Sequence, residues 1–289
     1  MHPKSAIPVI GLFLLALVFI AFIGCSEEKV VVPDSNLVAG SPTDPEFLLL
    51  KEKVDGYFTE TEGIFALGLE NIFQLPTDTE TIRNQYAAMG PNDTVQYVYI
   101  NGWHVTYISR YNAYYNDYFR DSVQFMLDEV PVQEPDNIDH LQYIRYWGFT
   151  INPTDETRTN KYGYANVVFD NLDQEVSTIN GINDIQFEWN YVCPDSTVKA
   201  VFDMQVAANN ITVRKSFTYG WTSGCPCSGA MTMTIDNSYN VTRNLASDFW
   251  IRNWTATVTF EDGVGHVRLI SDGEYWEFDC QICDPPVQL

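Results

Sequence analysis

Two runs decide the fold: Ile185-Gln186-Phe187-Glu188-Trp189-Asn190-Tyr191 and Trp254-Thr255-Ala256-Thr257-Val258-Thr259-Phe260. In each, every second residue is apolar and those between are polar. That period places one face in a core and the other in water, as in antiparallel sheets. Outward from these runs the pattern repeats through Phe202, Met204 and Val206, through Ile211, Val213, Phe217 and Tyr219, and through Met231, Met233 and Ile235. Asn209-Asn210, Asp262-Gly263 and Asp272-Gly273 supply residues that tolerate positive φ, and each reads as a hairpin turn. Sequential hairpins make a meander with each strand beside the one before.

Counting turns alternately to the two ends of that meander brings Cys193, Cys225, Cys227, Cys280 and Cys283 to one rim. Upstream, Trp103, Val105 and Tyr107 alternate, and Tyr111 to Phe119 reads as a strand continued by Asp121–Phe125. Leu141, Tyr143, Trp147, Phe149 and Ile151 form another, with Arg145 interrupting the same face, and Tyr162–Phe169 the next. The expectation is a mainly β domain. About ten to eleven antiparallel strands form a curved sheet, half-barrel or barrel, with a helical segment packed on it. That segment covers 45–89. Asp44-Pro45-Glu46 is an N-cap, a proline at the first helical position and an acid in the first turn. Phe47, Leu50, Val54, Tyr57 and Phe58 follow at helical spacing, and a second apolar run from Ile64 to Phe73 ends at Pro76.

The chain opens with Lys4, an apolar stretch from Ile7 to Ile23, and Gly24-Cys25, the layout of an export signal. A membrane-spanning helix is the alternative, for which the stretch is short. Phe22-Ile23-Gly24-Cys25 resembles the lipobox of bacterial lipoproteins, with Gly before the cysteine and Phe22 where leucine is usual. The resemblance implies that residues 1–24 are a signal peptide and that Cys25 carries acyl chains, palmitate among them, anchoring the protein to a membrane. Ser26 implies the outer membrane, on its periplasmic or surface face. Residues 25–44, small and polar without period, read as a flexible tether, and 45–289 as a single domain. A helix ahead of an open barrel is also similar in layout to the periplasmic lipoprotein carriers, without a shared motif.

The 16 basic and 38 acidic residues leave a formal charge of −22, and loss of 1–24 removes one lysine more. That balance argues against nucleic acid and against docking on anionic lipid headgroups. An exported chain meets oxidising conditions. Two disulfides joining Cys225 and Cys227 to Cys280 and Cys283 are expected, each stabilising by about 3–4 kcal/mol, with zinc held by the same four thiolates as the alternative. Cys193 is left as a buried thiol or an alternative partner. His104, His140 and His266 sit in no catalytic motif, and no Gly-x-Ser-x-Gly, His-Glu-x-x-His or phosphate loop occurs. Asp136/Asp139 and Asp170/Asp173 read as solvated turns.

No enzyme, cofactor or metal is expected. The leading function is a structural or interaction module partnered by the membrane and an envelope protein. The alternative is a carrier of an apolar ligand or lipid, in a cavity lined by Trp147, Trp189 or Trp254. A hydrolase ranks third.

Overall fold

The computed structural model describes residues 36–59, 93–111, 115–151, 157–193, 196–214, 226–243 and 246–283. From Val38 onward these form one sheet and one helix. The helix is α1 (Pro45–Thr59). The strands are β1 (Val38–Ala39), β2 (Thr94–Ile100), β3 (Trp103–Tyr111), β4 (Tyr115–Leu127), β5 (Val130–Val132), β6 (His140–Ile151), β7 (Thr157–Asp170), β8 (Val176–Cys193), β9 (Ser196–Arg214), β10 (Pro226–Arg243), β11 (Ala246–Glu261), β12 (Val264–Ser271) and β13 (Glu274–Gln281). The sheet has thirteen strands, more than the alternation suggested, and does not close. Its order is β1-β13-β12-β11-β10-β9-β8-β7-β6-β4-β3-β2, with β5 beside β4. All neighbours are antiparallel except β1, which runs parallel to β13.

The N-terminal cap forms as its residues require. Asp44 Oδ1 accepts the backbone N–H of Glu46 at 2.8 Å and of Phe47 at 3.2 Å, satisfying two donors that a helix start leaves open. Phe47, Leu50, Val54, Tyr57 and Phe58 are all buried against the sheet. Phe47 stacks on Trp276 of β13 at 5.6 Å, and Phe58 meets Phe260 of β11 edge-on at 6.1 Å. Asp55 reaches β13 through the Cys280 thiol at 2.7 Å, while two residues on the Tyr57 hydroxyl accepts from Asn183 of β8 at 3.3 Å. In a flat sheet β8 and β13 lie about 24 Å apart, twice the width of a helix at about 10–12 Å. One turn of helix touches both because the sheet curls around it.

Several expectations need correcting. Asn209-Asn210 is not a turn but lies inside β9, a strand of 19 residues. Ile179 pairs with Ile211 but Gly181 with Ala208, so one residue of β8 faces two of β9. That is a β-bulge, with Asn210 at φ 50° and its N–H held by the Asn180 side chain at 2.8 Å. The extra residue moves the inward set from Met204, Val206 and Ala208 to Ile211 and Val213, the change of phase that imitates a turn.

Tyr111–Phe119 is not one strand either, since β3 ends at Tyr111 and β4 begins at Tyr115. The sheet starts earlier than the expected tether end. Val38 and Ala39 pair with Glu274 and Tyr275, and Ser41 O accepts the Trp276 indole N–H at 2.9 Å. The 60–89 part of the helical segment, the signal sequence and Cys25 lie outside the described residues. Asp262-Gly263 and Asp272-Gly273 do turn, each pair with positive φ at both residues, as two-residue hairpins need.

Candidate functional site

Joining Asn209-Asn210 into one strand reverses the later turn count, and with it the place of the cysteines. The β8–β9 link after Cys193 and the β10–β11 link after Arg243 fall at one end of the sheet. Cys227, Cys280 and Cys283 fall at the other, around the Asp262-Gly263 turn. There Gly263 N–H bonds to Pro226 O at 2.8 Å, and Gly263 O accepts from Ile282 at 3.0 Å. Cys193 is therefore remote from the rest.

Cys227 and Cys280 are in the reduced thiol form, and Cys283 is disulfide-bonded. Cys227 and Cys280 thus lack the bridges expected of them while Cys283 has one, and Cys225 lies outside the described residues. Cys280 points inward and spends its S–H on Asp55. Burial, and then the Asp55 carboxylate, push its thiol far above the ordinary range. Burial likewise raises Cys227. Among the described residues no three His, Cys, Asp or Glu side chains converge to hold a metal.

Among the described residues, His104, His140 and His266 bond to Tyr97, Asp170 and Asp279, none to a serine, threonine or cysteine. His104 is a core residue, while His140 and His266 lie in cross-strand pairs nearer solvent. Asp170 is the partner of His140, and Asp139 accepts the Asp128 N–H at 3.0 Å.

The three tryptophans part company. Trp254, 1 % exposed, is core, closed in by Trp276 at 5.0 Å and by the Arg252 guanidinium at 4.2 Å. Trp147 packs its ring against Gly163, whose missing side chain leaves it room. Trp189 borders open space. It lines two adjoining cavities between α1 and the sheet, of about 190 Å³ and 250 Å³. Glu52, Lys161, Phe187 and Met204 help bound the smaller, while Leu49, Asn237 and Tyr239 help bound the larger. Lys53 and Phe202 face both.

Register explains the convergence. Phe187 pairs with Phe202 and Phe202 with Asn237; Trp189 pairs with Ala200 and Ala200 with Tyr239. Two transverse rows of inward side chains thus meet α1 near the end of the sheet that carries the β8–β9 link. Phe187 and Trp189 stack at 5.8 Å, and Tyr239 stacks on Trp250 at 5.1 Å. Two ammonium groups cover the first stack, Lys53 at 5.4 Å from Trp189 and Lys161 at 4.8 Å from Phe187. This is a short aromatic groove with cations on its walls, suited to holding an apolar body against flat rings.

Sequence reasoning found Trp189 and missed Lys53, Lys161 and Tyr239. Lys53 had a readable signal, since it lies three residues after Leu50 and four before Tyr57, beside the buried stripe of α1. Lys161 and Tyr239 had none, because their place depends on strand register. No protein-family model, curated protein or solved structure matches this chain, so its own geometry carries the functional reading.

Proposed function

We propose that this is an exported bacterial lipoprotein, held to the outer membrane by acyl chains on Cys25. Its β domain binds an apolar ligand between α1 and the curled sheet and does no chemistry on it. The observation that carries the binding role is the groove at Trp189, where a cavity opens on either side of Lys53. The Cys25-Ser26 junction after an apolar leader supports the anchor.

A second reading, an interaction module for an envelope protein, is favoured by Phe249 and Ile251, 63 % and 55 % exposed on the outer face of β11. They stand where β11 runs past its pairing with β12, which begins at Thr255. An apolar strip on an unpaired strand edge suits a protein partner.

Native mass spectrometry of protein extracted gently from its own membrane tests both parts. The expected polypeptide starts at Cys25 and carries diacylglyceryl mass, with a second, dissociable mass from a bound apolar molecule. An unacylated chain that retains residues 1–24 refutes the anchor. A ligand-free chain with a protein partner moves the assignment to the second reading.

A further inference from the structure

We infer that the groove selects an amphiphile with an anionic head. This rests on the binding role proposed above and goes further by naming the ligand's charge. The chain has 38 acidic residues against 16 basic, yet among the described residues the two cavities are lined by two lysines and one glutamate, and the larger by Lys53 and no carboxylate.

Lys53 is also unusual among its kind. Lys51 pairs with Asp55 at 2.5 Å, Arg145 with Asp121 at 2.7 Å and Arg252 with Glu46 at 2.9 Å. The Lys53 ammonium instead lies over the Trp189 ring, and among the described residues it forms no ion pair. A cation kept beside apolar walls without a counter-charge favours an anion that brings its own apolar tail, because the tail's burial adds to the charge-assisted contact.

A second donor stands in the same cavity. The Tyr239 oxygen accepts the Asn237 side-chain N–H at 3.1 Å, so its own O–H proton is turned elsewhere and can meet an anionic oxygen. Sugar stacking fits worse: the Phe187 and Trp189 faces are taken by each other and by the two ammonium groups.

Calorimetric titration with three probes of one chain length, decanoate, decanol and decyltrimethylammonium, tests the inference. The wild type is expected to bind decanoate about tenfold more tightly than decanol, as for one charge-assisted contact, and the cation most weakly. Lys53→Met keeps the apolar stem and is expected to bring decanoate down to the decanol level, with decanol unchanged. Lys51→Met, off the groove, keeps the preference. Should Lys53→Met fail to fold, added salt on the wild type serves instead, expected to shrink decanoate's advantage and leave decanol alone. Equal binding of decanoate and decanol by the wild type overturns the inference and leaves the groove standing. A preference that survives Lys53→Met does the same. Failure of all three probes to bind removes the proposed binding role and the inference together.

Discussion

Arg145 faces inward on β6 among Leu141, Tyr143 and Trp147, where a lone charge would cost several kcal/mol. It is neutralised in place. Its Nε and Nη2 donate to the two oxygens of Asp121 on the paired strand, each at 2.7 Å, and the Tyr143 hydroxyl donates to the same carboxylate at 2.9 Å. His104, 2 % exposed, is another ionisable side chain in this half of the core, beside the buried Thr106. Its Nδ1 bonds to the Tyr97 hydroxyl at 2.8 Å, and its ring packs against Tyr99 at 4.7 Å and Phe125 at 5.1 Å. Burial lowers its pKa from 6.5, against the pull of the Gln133 carbonyl and Glu134. The native state therefore favours the neutral ring and binds fewer protons than the unfolded chain. That contribution to stability is present above pH 6.5 and declines as pH falls through it. His104→Leu should flatten this slope: denaturant unfolding at pH 7 and pH 5 should show a larger loss in the wild type than in the variant. Equal losses would mean that His104 takes up its proton in the folded state without penalty.

Among the elements, α1 and the bulged strands carry the readable strain and clamps of the fold. Arg252 of β11 clamps the start of α1, donating to Asp44 at 3.2 Å and Glu46 at 2.9 Å while its flat guanidinium covers Trp254. Burial works against Asp44's charge, but the Phe47 and Glu46 N–H groups and Arg252 hold its carboxyl below the ordinary value. The bulge at Asn210 continues across the sheet at Gly181 and Gly229, where the β8–β9 and β9–β10 registers slip. At Gly229, φ is 109°, and an added Cβ would stand 2.5 Å from the backbone of Asn210 and Ile211. No rotamer relieves a clash with backbone, so Gly229→Ala should destabilise by about 2–4 kcal/mol. Chemical denaturation measures this, and a change under about 0.5 kcal/mol would show that the bulge yields freely.

At the scale of the whole molecule, the long strands β8–β11 set which ends meet. They carry Cys193 to one end of the sheet and Cys227, Cys280 and Cys283 to the other. Thiolate is the reactive form, and burial keeps both Cys227 and Cys280 protonated. Alkylation of the native protein without reductant should therefore leave Cys280 unmodified and label Cys227 slowly. Both should react once the chain is unfolded, while Cys283 reacts only after reduction. Non-reducing peptide maps linking Cys227 or Cys280 to another cysteine would contradict this arrangement.

Much of the architecture was legible along the chain. Period-two alternation named most strands, Asp-Gly pairs named two turns, and Asp44-Pro45-Glu46 with its apolar stripe named α1, because each depends on neighbours a few residues apart. Those same local rules misread Asn209-Asn210, since a bulge and a turn share residues tolerant of positive φ and differ only in what lies across the strand. The end at which Cys193, Cys227, Cys280 and Cys283 sit, the pairing of Arg145 with Asp121, and the meeting of Lys53 with Trp189 and Tyr239 were decided by register and by the curl of the sheet around α1. Such contacts join residues far apart in the chain, and shifting a strand by one place turns each of its side chains to the opposite face.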